Sequence, residues 1–382
     1  MKPIKVLQIC VGGTEFGGVE NFLYQYYLHI NQENIHFDFL FCSQNSIKSK
    51  MNESVFRGSH FFVLNAIHSN QKNNGYKEYR MLICKLYKVL STNSYDIVHI
   101  NTGSIAIQCI CLIVSEKLGI PVRIAHSHSS PPKNNFFKEI LFTICRKIIV
   151  AKSTYLFACS LSAGKRLFGK NSITNENLYL IKNAIDIKKY KFSPEKRIEV
   201  RNEKHIGEDE WICCYVGRLD NNKNPFFLLD VFSELHKQIS GSKLWIIGDG
   251  ELKNQIQCRI RELKLYNAVT LYGIRNDVDK LLQAADIFIF PSKHEGLSIS
   301  VIEAQASSLF IVASDSISKE HKLTNSIYFL SLHLNAKEWA NFIIQYFQNF
   351  QRQDQTENLI SSGYDISSAS FKLEKLYLNA IH

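Results

Sequence analysis

No apolar run in the 382 residues is long enough to cross a bilayer. The longest uncharged stretch, around Ile105 to Val114, is half the length of a spanning helix, which needs about 20 residues. Paired cysteines at metal-binding spacing are missing too. The ten cysteines are scattered, with Cys109 and Cys111 alternating on a buried element and Cys213 and Cys214 adjacent inside an apolar run. This argues against a disulfide or zinc framework and predicts reduced thiols in a cytosolic core. There is no short tandem repeat and no low-complexity tract, and the composition excludes disorder, collagen and coiled coil. Lys2 and Lys5 are what a secretion signal would carry, but Gln8, Gly12 and Gly13 cut the apolar run short, so the start predicts a first β-strand.

What is present is 45% hydrophobic and 12% aromatic residues, enough for two or three domains with cores at about 150 residues each. Short β-rich runs alternate with helical patterns, the rhythm of a parallel sheet covered by helices. Strands are predicted at Lys5–Val11, His36–Ser43, Phe61–Asn65, Asp96–Asn101, Val122–His128 and Tyr155–Ser160, and again at Trp211–Gly217, Lys243–Gly248, Val269–Gly273, Asp286–Ser292 and Phe310–Ser314. Between the two sets, Asn183 to Glu210 is charged, poor in large apolar residues and broken by Pro194 and Gly207, which predicts a linker and hinge. The fold class is therefore α/β, two doubly wound Rossmann-like domains in series, over residues 1–187 and 188–360. A helix at 361–382 would pack back on the first domain. A ligand would sit at the carboxyl ends of the strands, in the cleft between the domains.

The net charge of +10 is unevenly placed. Residues 1–185 hold 21 Lys/Arg and 10 Asp/Glu, against 24 and 25 in residues 186–382, so the halves carry +11 and −1. One domain is set to face something anionic. A nucleic-acid partner would need base-stacking aromatics in a known module, which the sequence lacks.

Two constellations carry chemistry in the second half. After the strand Trp211–Gly217 come Arg218-Leu-Asp-Asn-Asn-Lys223-Asn-Pro225 and a helical run, with Pro225 suited to a first helical turn. Arg218 and Lys223 can clamp a diphosphate, one by a bidentate guanidinium and the other as a mobile point charge; solvated loop charges are the plainer reading. Further on, Phe288-Ile-Phe-Pro291-Ser-Lys-His-Glu295-Gly296-Leu297-Ser298-Ile-Ser300-Val-Ile-Glu303 reads as a buried strand, a loop and a helix start. Ser300 and Glu303 have the spacing of a capping box, the structural reading of Glu303. The functional reading places a phosphate on the helix tip and the amides after Gly296, with Glu303 accepting from two ribose hydroxyls. Glu295, out in the loop, would meet a different part of the ligand.

The Glu-x7-Glu pair at Glu295 and Glu303, the preceding Asp286-Ile-Phe-Ile-Phe-Pro-Ser and the segment Gly217-Arg218-x4-Lys223-Asn-Pro together resemble the retaining glycosyltransferases of family 4, which have the GT-B fold. Smaller matches follow in the family order: Gly17-Gly18, Ile181-Lys-Asn183-Ala-Ile-Asp186, Gly248-Asp-Gly250 and Leu271-Tyr-Gly273. The resemblance implies a nucleotide-sugar donor, a UDP-sugar, bound mainly by the second domain, and an acceptor bound mainly by the first. It implies that Arg218 and Lys223 contact the diphosphate, that Glu303 holds the ribose and that Glu295 contacts the donor sugar, with Gly296, Leu297 and Ser298 lining the donor. Fixed cations at the departing diphosphate lower the barrier, and no divalent metal or other cofactor is expected.

In the first half, the loop Gly12-Gly-Thr-Glu-Phe-Gly17-Gly18-Val-Glu20 can approach a phosphate or a sugar closely, but it lacks the Gly-x-Gly-x-x-Gly spacing of a hydride-transfer enzyme. Ala125-His126-Ser-His128 ends a strand. The family carries a histidine near here that faces the donor sugar, and His126 and His128, on the same side of an extended chain, are both candidates. The chain departs from the common pattern at Ala184, at Ser307-Ser-Leu-Phe310 and at Ser316-Ile-Ser-Lys-Glu320, where glycines would let amides close on a ligand.

The segment 134–152 has apolar residues at helical spacing with Lys138, Arg146, Lys147 and Lys152 among them. Such a helix either packs on its own sheet or lies on an anionic membrane surface, and the charge of the whole half favours the membrane. The expected activity is retaining transfer to a lipid-linked saccharide acceptor, in capsule, exopolysaccharide or O-antigen assembly, by a cytoplasmic protein peripheral at the inner face of the plasma membrane. The alternatives are an epimerase of the same fold and a non-catalytic sugar-nucleotide-binding subunit.

Overall fold

The computed structural model describes residues 2–11, 17–41, 56, 58–64, 75–128, 136–169 and 178–381, without the side chains of residues 75–78 and 136–138. The chain divides into two units, Met1–Ala184 with Ile366–His382, and Ile185–Asp365. The breaks fall at 184/185 and 365/366, against the expected 187/188 and 360/361.

In the first unit the order is β1 (Ile4–Cys10), α1 (Gly18–His29), β2 (Ile35–Phe41), β3 (Phe61–Val63), α2 (Gly75–Thr92), β4 (Ile97–Ile100), α3 (Ile105–Lys117), β5 (Val122–Ser127), α4 (Phe136–Lys152), β6 (Tyr155–Ala158), α5 (Leu161–Phe168) and β7 (Leu178–Leu180). Its sheet runs β3-β2-β1-β4-β5-β6-β7, parallel throughout. The second unit holds α6 (Ile187–Tyr190), α7 (Pro194–Glu203), β8 (Ile212–Val216), α8 (Pro225–Gln238), β9 (Lys243–Ile247), α9 (Lys253–Glu262), β10 (Val269–Gly273), α10 (Val278–Ala284), β11 (Ile287–Phe290), α11 (Ile299–Ala306), β12 (Phe310–Ser314), β13 (Ile327–Leu330), α12 (Ala336–Phe347) and α13 (Thr356–Ser361). Its sheet runs β10-β9-β8-β11-β12-β13, again parallel. The last helix, α14 (Ile366–Ile381), packs on α1 and buries Leu373 and Tyr377 in the core of the first unit.

The central strands are nearly continuous apolar runs such as Ile-Cys-Cys-Tyr-Val and Phe-Ile-Val-Ala-Ser, because helices cover both faces of a parallel sheet. The expected strands are all present to within one or two residues. β7 (Leu-Tyr-Leu) and β13 (Ile-Tyr-Phe-Leu) are not among the expected strands; they are short apolar runs at sheet edges with most residues half-buried. The described cysteines form no disulfide; most are buried, but Cys84 and Cys258 are exposed, so the thiols are not all core thiols.

The expected linker is structured. Pro194 does not break the chain but opens α7 behind the Ser193 cap, where a missing N–H costs nothing. From that helix Arg197 and Arg201 reach Asp286 at 2.5 and 3.3 Å, and Arg201 also binds the Ala284 and Glu210 carbonyls. The charges that marked this segment as a linker hold α7 against the start of β11.

Candidate active site

Both sheets reverse their strand order beside the first strand, between β1 and β4 and between β8 and β11, which is where open α/β sheets bind ligands. The Arg218–Lys223 loop leaves β8 and the Glu295 loop leaves β11, so the two constellations flank the reversal point of the second sheet. Gly217 and Gly248 let the loops after β8 and β9 meet backbone to backbone: Gly248 has φ +138°, and a Cβ there would strike the Gly217 carbonyl. Gly217 N–H donates to Ile247 O at 3.0 Å and Leu219 N–H to Asp249 O at 2.9 Å.

The Arg218–Asn224 segment wraps Asp220, whose Oδ1 accepts the amides of Asn222 and Lys223, each at 3.0 Å. Arg218 sits 3.3 Å from Asp220 Oδ2 with its side chain 76% exposed, which leaves the guanidinium accessible to an anion. Lys223 points inward: its Nζ is 2.6 Å from Glu295 Oε1 and 4.9 Å from the centre of the Phe290 ring. Asn222 donates from Nδ2 to His294 O at 2.7 Å and to Glu295 Oε1 at 3.1 Å, and Lys293 N–H donates to Asn222 O at 2.8 Å. Lys223 and Glu295, expected at different parts of a donor, thus form one mostly buried pair. The Glu295 carboxylate of this pair is also held by Asn222.

Glu303 does not cap its own helix. α11 begins behind Ser298 with no side-chain cap bond, and Glu303 Oε1 instead accepts from the Tyr190 hydroxyl at 2.7 Å. Burial, and then Glu303, push the Tyr190 phenol well above its ordinary pKa, so it stays a donor. Gly296 is half-buried; Leu297 and Ser298 are buried. The Ser298 amide, one of those expected to receive a phosphate, is already bonded to His321 Nε2 at 2.7 Å, while His321 Nδ1 donates to Ser318 O at 2.7 Å. Ser318 N–H donates to Glu295 O at 3.2 Å. The glycine-poor segment 316–321 is therefore a turn that ties the Glu295 loop to α11. Neither Tyr190 nor His321 was a candidate in the sequence, and no spacing marked them.

In the first unit the two histidines separate. His126 is fully buried and forms a chain with His99 and Tyr377: His99 Nε2 to His126 Nδ1 at 3.0 Å and His99 Nδ1 to the Tyr377 hydroxyl at 2.6 Å, with Gln8 Nε2 donating to that hydroxyl at 3.0 Å. His128, at the end of β5, is only half-buried, bonds Asn101 Oδ1 at 2.9 Å and lines a small cavity with Thr102, Gln108 and Phe142. Burial holds His99 and His126 well below the usual imidazole range and His128 at about 3, so all three are neutral. Of the pair, only His128 is partly exposed. Gly17 N–H is held by buried Glu20 at 3.0 Å, and a Cβ on Gly18 would meet nothing. Gly12, Gly13 and the rest of 12–16 lie outside the described residues.

One face of the first unit is apolar and exposed. α3 packs between α2 and α4. Tyr79, Met81, Ile83 and Tyr87 on α2 and Ile140, Leu141 and Ile144 on α4 are each at least 40% exposed, with Arg80, Lys88 and Lys147 exposed among them. The Lys138 side chain lies outside the described residues. Among the described residues, no helix is long and apolar enough to cross a membrane.

Residues 16–189 match the family model Glycosyltransferase Family 4, and residues 196–361 match Glycosyl transferases group 1. The chain is 28% identical over 318 residues to the putative glycosyltransferase EpsF of Bacillus subtilis (strain 168), covering 83% of this chain and 80% of that one. It is 26% identical over 316 residues to the UDP-Gal:alpha-D-GlcNAc-diphosphoundecaprenol alpha-1,3-galactosyltransferase of Escherichia coli, covering 80% of each. Among solved structures, Anabaena HepE in complex with UDP superposes with a TM-score of 0.76 at 17% identity, over 98% of this chain and 100% of that one. That likeness gives the fold as GT-B.

Proposed function

The chain belongs to the glycosyltransferases of polysaccharide biosynthesis, with a family 4 first half and a group 1 second half, and from that membership we propose that it moves a sugar from a UDP-sugar to a saccharide on a lipid carrier, with retention at the anomeric carbon. The observation that carries this reading is the Lys223–Glu295 pair beside exposed Arg218, where the loops after β8 and β11 meet. Sugar transfer builds positive charge on the sugar and negative charge on the departing diphosphate. Arg218 and Lys223 supply fixed cations for the second, the role a divalent metal would otherwise fill. Glu295 faces the sugar and Glu303, aimed by Tyr190, takes the ribose.

The lipid-linked acceptor draws support from the E. coli relative, whose name gives a diphosphoundecaprenol-linked acceptor. The exposed apolar face of α2 and α4, in the half that carries +11, suits contact with an anionic membrane and supports the reading of a peripheral enzyme at the inner face of the plasma membrane. An epimerase has no use for such a face.

The test is the double variant Arg218→Ala with Lys223→Ala, assayed for UDP release from UDP-glucose, UDP-galactose and their N-acetylated forms with a diphosphoundecaprenol-linked saccharide. Turnover should vanish while the circular dichroism spectrum and melting temperature stay near those of the parent. Near-normal turnover in the double variant would overturn the diphosphate assignment.

A further inference from the structure

We propose that His36, Asp38 and His60 bind a divalent transition-metal cation of the zinc type at the edge of the first sheet. His36 and Asp38 are two residues apart on β2 and so share one face. His60 is delivered opposite Asp38 by the residue before β3, and the backbone fixes it there: Phe39 N–H donates to His60 O at 2.9 Å, and His60 N–H to Asp38 Oδ1 at 2.6 Å. His36 Nε2 lies 3.1 Å and His60 Nδ1 3.2 Å from the same Asp38 Oδ1, and the ligand atoms of all three residues fall within 4.8 Å of one another.

Three nitrogens therefore crowd one carboxylate oxygen, which offers about two lone pairs. Hydrogen bonding alone leaves that oxygen short of capacity. A cation relieves the crowding, because both imidazoles then turn a lone pair, not a proton, toward the ion. Zinc–nitrogen bonds of about 2.0–2.1 Å and zinc–oxygen bonds of about 2.0–2.2 Å in a tetrahedron set neighbouring ligand atoms about 3.3–3.5 Å apart, close to the 3.1 and 3.2 Å from the two histidines to Asp38.

The surroundings are those of a ligating carboxylate. Asp38 is 3% exposed, and its other oxygen accepts from the Tyr95 hydroxyl at 2.9 Å, an outer partner that orients it. The side chains of His36 and His60 are 27% and 70% exposed, so a water can complete the coordination. Two imidazole donors select a zinc-like ion over magnesium or calcium, which take oxygen. The ion would pin the three-residue β3 to β2 and has no part in the transfer reaction.

Tag-free protein stripped with a chelator is titrated with cobalt(II), read by its visible ligand-field absorption, and with zinc, read by calorimetry. One ion should bind per chain and raise the melting temperature. His60→Ala, which removes a largely exposed ring, and His36→Gln should each weaken binding by more than about tenfold and abolish the thermal shift while leaving the circular dichroism unchanged. Absence of saturable binding overturns the proposal. So does binding indifferent to both histidine substitutions, which assigns the ion to other groups such as the exposed Cys84 or Cys258.

Discussion

His126 and His128 sit two residues apart on one strand, yet the first is a core residue chained to His99 and Tyr377 and the second reaches the strand end. Alternation put both on one face; only the sheet's end separates them. Tyr190 shows the same dependence on neighbours. Its hydroxyl bonds Glu303, and its carbonyl accepts from Gln283 and Ser307. A hydrogen bond to a charged group is worth about 1.5–3 kcal/mol, so Tyr190→Phe should raise the donor KM by about tenfold with little change in kcat. The loss should shrink with a 2′-deoxyribose donor, which has one hydroxyl fewer for Glu303. An unchanged KM would remove Tyr190 from the positioning of Glu303.

At the scale of elements, the strands with continuous apolar runs were legible because burial on both faces leaves no room for polar residues. The edge strands β7 and β13 were not: their apolar runs are only three and four residues long, too short for sequence to tell a strand from part of a helix. The segment 183–210 holds the break between the units at 184/185, but the charges that marked it as a linker also bind carbonyls and Asp286. α4 was anticipated as a basic amphipathic helix, but α2 was not. Its outward Tyr79, Ile83 and Tyr87 recur every four residues beside Arg80 and Lys88. Together the two helices should carry the protein onto vesicles. Co-sedimentation should rise with the anionic lipid fraction and fall with salt, and Tyr87→Glu with Ile144→Glu should weaken it without unfolding the protein. Binding indifferent to lipid charge and salt would refute the membrane assignment.

Across the whole molecule, folding excludes protons from buried histidines in both units: His99 and His126 in the first and His321 in the second, each held below the ordinary value by burial. Their contribution is complete above the unfolded pKa of about 6.5. Below it the unfolded chain takes up protons that the native state refuses, so stability should fall by up to about 1.4 kcal/mol per pH unit for each histidine. Denaturant midpoints at pH 7.5, 6 and 5 check this. A flat profile would mean that these rings charge in the folded state.

The sequence by itself determined the two doubly wound units, the split of charge into +11 and −1 and the family, because apolar runs, ionisable residues and ordered motifs are local properties of the chain. Only the tertiary structure decided which residues meet. Tyr190 and Glu303 are 113 residues apart, and His99 and Tyr377 are 278 apart. Spacing cannot encode such contacts; they arise where packing sets one helix against another, α6 on α11, or the last helix against β4 of the first sheet.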